Sequence, residues 1–374
     1  MSSSKPRLLL VARTRYRLPL STSLERKFAA LEERFELRVL ATAADGHSSD
    51  NGVFRLVAKL PFLDGVLFYV LLPSRIRRIA REQRPDAIVA QSPYEALFVI
   101  AARTNAKLVV ELHGDWSTAT RLYGSPLRRA LSPLTDRLAA WAVRKADAVR
   151  AVSDFTAGLA RDLGVEPAAV FTTFVDLDLF TATPPAPLPA EPTALFVGVL
   201  ELYKNIDGLD AAWRLAAPRV NGARLRLVGN GSRAELIQKL VSDLPGRTSW
   251  VERLSAEEVV TALDDATCLV LPSRSEGLPR IVVEALTRGR AVVAARGGGI
   301  PDIVEDGANG LLVSPDDVTA LAAGIERVLT DRELAERMGE TARERAERWL
   351  ATPAQSADNM LAVVHAALAS GPHL

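Results

Sequence analysis

The chain has 374 residues, of which 48% are hydrophobic and 24% charged, with a formal net charge of +1; these are ordinary values for a globular enzyme with two or three domains. The single cysteine, Cys268, excludes an internal disulfide and, set in an apolar run, reads as a small buried hydrophobe in a reducing, cytoplasmic compartment. The longest apolar stretch, Phe62 to Pro73, is broken by Asp64 and falls short of the roughly 20 residues a membrane span needs, and the N-terminus has no apolar core like that of a signal peptide.

Taken in chain order, apolar runs alternate with helical patterns, which predicts parallel sheets covered by helices. The first half yields strands at Leu8 to Ala12, Leu37 to Ala41, Ala87 to Ala90, Lys107 to Leu112, Ala148 to Val152 and Val170 to Thr172. After the first strand comes Arg13-Thr14-Arg15-Tyr16-Arg17-Leu18-Pro19-Leu20-Ser21-Thr22, rich in arginine and without glycine. This argues against a nicotinamide site, which needs Gly-x-Gly-x-x-Gly there. Leu67 to Arg81 joins apolar bulk to clustered arginine; it reads either as a core-packing helix with a solvated basic face or as a dock on an anionic membrane. The strand at Lys107 to Leu112 runs into His113-Gly114-Asp115-Trp116, setting an imidazole at a strand end, where it serves either as a structural hydrogen-bonding group or in chemistry.

Thr183 to Pro192 holds five prolines in ten residues, the natural linker between a first domain (1–182) and a second (193–354). In the second half, strands are predicted at Ala194 to Val199, Arg224 to Val228, Cys268 to Leu271 and Ala291 to Ala294. Through Pro185 there are 26 basic against 19 acidic residues, leaving 20 against 26 for the remainder. A basic first half suits an acidic partner, either an anionic membrane surface or a phosphorylated acceptor. No nucleic-acid-binding module accompanies that charge.

The most informative stretch lies between 273 and 313. Ser273-Arg274-Ser275-Glu276-Gly277-Leu278 is a polar loop, Pro279 starts a helix carrying Arg280, Ile281, Val282 and Glu284, and Gly297-Gly298-Gly299-Ile300-Pro301-Asp302 and Asp306-Gly307-Ala308-Asn309-Gly310 follow. A helix start offers free amides and a positive dipole end to an anion such as a diphosphate, here from Arg280, Ile281 and Val282. Two carboxylates flanking it suit the hydroxyl pairs of a sugar or ribose; the alternative is that Glu276 caps the helix and Glu284 solvates its outer face. Upstream, Gly198, Val199 and Lys204 follow a strand, and Lys204 is either a diphosphate contact or a surface charge. Gly229 and Gly231 form a turn after the next strand.

At these residues the chain resembles the retaining glycosyltransferases of family 4, with the GT-B architecture: two doubly wound, Rossmann-like domains facing each other across a cleft. The resemblance implies transfer of a hexose from a nucleotide-diphosphate sugar, as co-substrate, to a hydroxyl acceptor, with Glu276 on the donor sugar, Glu284 on the ribose, Lys204 on the diphosphate and His113 beside the sugar. It also implies a glycine turn near the donor at Gly229, a base pocket at Arg253 and Leu254, and a strand-end serine at Ser153, which is alternatively a helix cap. The family's Arg before the phosphate-binding Lys is replaced by Val199, so Arg274 or Arg280 is expected to supply that charge. Where relatives carry a Gly-Gly loop, Ser21 and Thr22 are expected to donate hydroxyl bonds, with Asp115 a further acceptor-side candidate. The last helix, within about 355–374, is expected to return to the first domain. No metal-ligand spacing appears, so no divalent ion or other cofactor is expected. The rival readings are a sugar-nucleotide epimerase or hydrolase on the same fold and a non-catalytic sugar-nucleotide-binding subunit.

Overall fold

A computed structural model of the protein describes residues 5–58, 64–117 and 126–371. They divide into two compact units, the first built from Met1–Ser117, Leu127–Phe174 and Ala351–Leu374, the second chiefly from Val175–Leu350.

The first unit carries β1 (Arg7–Tyr16), β2 (Glu36–Ala43), β3 (Ser49–Asp50), β4 (Phe54–Val57), β5 (Ala87–Ala90), β6 (Lys107–Leu112), β7 (Ala148–Ala151) and β8 (Ala169–Val170). They form one sheet in the order β3-β4-β2-β1-β5-β6-β7-β8, parallel except for the β3–β4 pair. Alternate residues of β1 feed two cores, as a period of two requires. Leu8 and Leu10 pack in a cluster with Phe28, Met360 and Val364, while Leu9 and Val11 join Phe68, Leu72 and Ile76. Because both faces are covered, the central strand β5 reads as an unbroken apolar run with every residue buried.

The helix Pro353–Ala369 belongs to this unit. Thr352 and Gln355 form a capping box, Pro353 occupies the first turn, and Ala357, Met360, Val363, Val364 and Ala367 recur at helical spacing on the buried side. The basic segment Leu67 to Arg81 lies in the helix Asp64–Gln83, with Phe68, Leu72, Ile76 and Ile79 in the core. Phe62 lies outside the described residues.

The second unit carries β9 (Thr193–Val197), β10 (Arg224–Val228), β11 (Thr248–Val251), β12 (Cys268–Leu271), β13 (Ala291–Ala295) and β14 (Gly310–Val313). Its sheet is wholly parallel in the order β11-β10-β9-β12-β13-β14. Numbered from β9, this is the 3-2-1-4-5-6 order of a doubly wound sheet, whose switch point lies between β9 and β12. Cys268 is fully buried, and burial pushes its thiol up to about 12.

Three expectations are corrected. The first strand runs on to Tyr16 through a register shift between Val11 and Arg15, so Arg13 to Tyr16 are strand and not loop. The short strands β3, β4 and β14 were not expected. The proline-rich segment is not a free linker: the division between units falls after Phe174, and residues 183–190 are strapped to the second unit by arginines. Arg288, fully buried, donates to the carbonyls of Phe180, Thr183 and Pro184 and pairs with Asp264 at 2.6 Å. Arg290 donates to Ala186, and Arg332 to Leu188 and Pro189. Prolines lack an N–H but keep a carbonyl, and guanidinium forks satisfy those carbonyls where no ladder can.

Candidate active site

Ligands of doubly wound sheets bind beyond the carboxyl ends of the strands at the switch point, and in the second unit both expected catalytic side chains follow the strands that flank it. Beyond β9 the chain passes Gly198 and Val199 into a single turn, Leu202–Lys204. Beyond β12 it passes Ser273 and Arg274 to Glu276. The two loops are stitched together: the Arg274 amide donates to the Tyr203 carbonyl at 2.7 Å and its guanidinium to the Leu202 carbonyl. Lys204 Nζ thereby meets Glu276 Oε1 at 2.5 Å, with side chains only 9% and 11% exposed.

Two glycines make this approach possible. A Cβ on Gly298, whose φ is +62°, would lie 2.1 Å from the Glu276 carbonyl oxygen, and the neighbouring Gly299 amide donates to that oxygen at 2.8 Å. A Cβ on Gly229, at φ +146°, would lie 1.8 Å from the Gly198 carbonyl oxygen, and Trp250 holds the Gly229 carbonyl through its indole N–H at 2.8 Å. Both glycines therefore serve close packing of the loops that carry Gly198 and Glu276. Val199 is 46% exposed at this rim.

The helix start differs from the expectation in detail. The helix is Arg280–Thr287, with Pro279 as its N-cap and no side chain capping it, so Glu276 is not a cap. The Val282 amide is already engaged by the Pro279 carbonyl at 3.0 Å, which removes one of the three expected anion donors. Leu278 packs against the unit's core, as do the buried side chains of Ile281 and Val282. Gly277 lies in the bend between Glu276 and Leu278. Glu284 does not solvate an outer face: it is buried and accepts from Arg280 Nε at 2.6 Å, one helical turn away. Burial pushes its carboxyl above the usual range, and the Arg280 charge partly offsets this.

The expected substitutes for the missing arginine are both committed. Arg280 holds Glu284, and Arg274 ties Leu202 to Asp316, the latter at 2.7 Å. Arg274 is thus a scaffold for the Lys204 turn. Arg253 is exposed beyond β11, whereas Leu254 packs on the core.

In the first unit, His113 stands at the carboxyl end of β6 with its Nε2 3.2 Å from Glu111 Oε2 and its Nδ1 3.4 Å from Thr173 Oγ1. Glu111 is buried and faces Arg150 across the β6–β7 register, and the two form an ion pair. Burial works to raise the Glu111 carboxyl, but the charge of Arg150, the hydrogen bond with His113 and the charge of Lys27 outweigh it and hold the group well below the usual carboxylate range. Sequence reading missed this pair; its signal was a Glu and an Arg interrupting two strands otherwise apolar at those positions. Ser153 is a helix cap: its hydroxyl accepts from the Thr156 amide within a capping box, and it is buried. Asp115 accepts from the amide and hydroxyl of Ser117, closing a local turn. Ser21 is the N-cap of the helix Thr22–Arg34, yet its side chain makes no cap bond, and both Ser21 and Thr22 are exposed. Among the described residues no three His, Cys, Asp or Glu side chains gather as metal ligands would.

Comparison with known proteins bears on the family and the fold. The model of "Glycosyl transferases group 1" matches residues 185–345, and that of "Glycosyltransferase Family 4" matches residues 21–179. The sulfoquinovosyl transferase SQD2 of Arabidopsis thaliana is 33% identical over 43% of this chain, a match spanning 31% of that protein's length. Sucrose-phosphate synthase from Thermosynechococcus elongatus superposes with a TM-score of 0.76 at 20% identity, covering 94% of this chain and 96% of that one. Anabaena Alr3699/HepE, solved in complex with UDP-glucose, superposes with a TM-score of 0.70 at 19% identity, covering 95% and 99%. At such identity the two structures speak for the fold. With both family models matched in order along the chain, it belongs to the GT-B glycosyltransferases of group 1 and family 4.

Proposed function

We propose that this protein transfers a sugar from a nucleoside-diphosphate donor to a hydroxyl acceptor with retention at the anomeric carbon. The observation that carries it is the Lys204–Glu276 pair, held nearly buried at the switch point of the second sheet. An ammonium there is suited to the charge that develops on a departing diphosphate, where preorganised electrostatics contribute most. The carboxylate beside it accepts hydrogen bonds from sugar hydroxyls. Glu284 is assigned to the ribose, the amides of Arg280 and Ile281 to phosphate, and His113 to the sugar being transferred. Lys204 and the helix start take the part a divalent ion plays elsewhere, so turnover is expected to survive EDTA.

The bound UDP-glucose of the Anabaena relative supports a nucleotide sugar as donor. Acceptor selection is assigned to the first unit, whose excess of basic residues suits a phosphorylated or lipid-linked acceptor. A peripheral contact with an anionic membrane is the second reading, favoured by Val70 and Leu71, which stay exposed on the helix that carries Arg77, Arg78 and Arg81. Incubation with UDP-, GDP- and ADP-sugars and a panel of hydroxyl acceptors tests the main reading. It predicts acceptor-dependent release of nucleoside diphosphate and an α-linked product from an α-linked donor. Isomerised donor or free sugar formed without acceptor would instead identify an epimerase or hydrolase.

A further inference from the structure

Buried ion pairs between strand neighbours often serve packing alone, and a carboxylate that does so can give both oxygens to its arginine. Glu111 divides them. Oε1 goes to Arg150, and Oε2 goes to the imidazole of His113 at 3.2 Å. Arg150 is divided in the same way: Nη1 serves Glu111, while Nη2 donates to the Phe171 carbonyl at 3.0 Å, and its guanidinium lies over the Phe171 ring at 4.1 Å. Two residues on, Thr173 brings its hydroxyl to 3.4 Å from His113 Nδ1. The strand ends of β6 and β7 and the segment after β8 thus close around one ring. Lys27, half-buried, lines the same small cavity of about 40 Å³, which has room for a water rather than a substrate.

We propose that Glu111 is a positioning residue that fixes His113 as an Nε2–H donor and leaves Nδ1 as an acceptor for a ligand hydroxyl, a place the Thr173 hydroxyl holds in this structure. A neutral imidazole has one donor and one acceptor nitrogen, and the partner of one settles the role of the other. An ionised carboxylate can only accept, so the nitrogen facing Glu111 carries the proton. The buried Arg150 keeps that carboxylate ionised away from water, and its bond to Phe171 sets where Thr173 stands. The consequence for turnover rests on the transferase reading; the state of the ring does not.

The chain has four histidines, so ¹⁵N-histidine labelling resolves each ring, and His113→Gln assigns the signals of His113. In the wild-type protein near pH 8, the His113 Nε2–H proton is expected to be visible, far downfield and slow to exchange, unlike that of an exposed imidazole free in water. It should fade in Glu111→Gln. A His113 ring protonated on Nδ1, or an Nε2–H signal unchanged in Glu111→Gln, would overturn the proposal, and the first of these is read on the wild type without any risk of misfolding. In turnover, Glu111→Gln should lower kcat roughly ten- to a hundredfold, as for supports that orient a reacting ring, with affinity for the free nucleoside diphosphate unchanged. If kcat were also unchanged, Glu111 would be a packing residue only. Failure to detect any sugar transfer by the wild type would sink the transferase reading while leaving the ring assignment intact.

Discussion

Lys204 and Glu276 stand 72 positions apart in sequence and 2.5 Å apart in space. Such a pair is costly to break from one side, because the remaining charge is left nearly buried without its partner. Glu276→Gln keeps the shape and removes the charge. It should lower turnover by about 10²- to 10³-fold, the usual cost of one preorganised electrostatic group, while nucleotide affinity falls little. Steady-state kinetics beside nucleotide titration separates the two. Gly298→Ala probes the support of the same carboxylate. The left-handed φ and the 2.1 Å approach to the Glu276 carbonyl leave no room for a methyl, so the variant should lose more than about 1 kcal/mol of stability and lose turnover with it. An alanine variant with unchanged thermal unfolding and full activity would show that the Gly297–Gly299 loop does not hold Glu276 in place.

At the scale of elements, β5, β6, β10 and β12 fall at the limits the sequence predicts: β5 and β12 are unbroken apolar runs buried on both faces, while β6 and β10 keep an apolar majority around single charged residues. The strands that escaped lie at or beside sheet edges or are polar. Ser49–Asp50 has no apolar run, and Gly310–Val313 was hidden behind a glycine turn. Arg13 and Arg15 disguised the end of β1 for the same reason. In the site, helical spacing did contain the Arg280–Glu284 pair, four residues apart, but the meeting of Lys204 with Glu276 is a product of sheet order and entered only through resemblance to a family.

The Glu111–Arg150 pair offers a test of the first sheet. Its carboxyl lies lower in the folded protein than the value of about 4.3 in an unfolded chain, so the stability it contributes is present above that pH and lost as pH falls through the folded value. Glu111→Gln should therefore cost about 3 to 5 kcal/mol near neutrality. Its deficit against the wild type should narrow below about pH 4, as read by urea unfolding across pH. A deficit that is constant with pH would mean the carboxylate is not the source of the effect.

For the whole molecule, what matters is that each unit is a doubly wound layer with candidate site residues at the carboxyl ends of its strands. The proline-rich segment belongs mechanically to the second unit, held by Arg288, Arg290 and Arg332. The units were expected to be joined at 183–192; the division lies after Phe174, and those arginines hold the segment to the second unit. The return of Pro353–Ala369 to the first unit was legible from its apolar spacing only once the family resemblance supplied a destination. The membrane reading also belongs at this scale. It predicts sedimentation with anionic vesicles at low salt, weakened when Arg78 and Arg81 are changed to Glu; no binding under those conditions would discard it.

At the switch point between β9 and β12, Lys204 is proposed to grip the diphosphate of a nucleotide sugar. Calorimetric titration of UDP, GDP and ADP into the wild type and Lys204→Ala tests this without knowledge of the acceptor. One nucleotide should bind the wild type selectively, and the substitution should weaken it by about tenfold or more, the order of one charge-assisted contact at 1.5 to 3 kcal/mol. Equal affinity in both proteins, or no binding of any of the three to the wild type, would contradict the account.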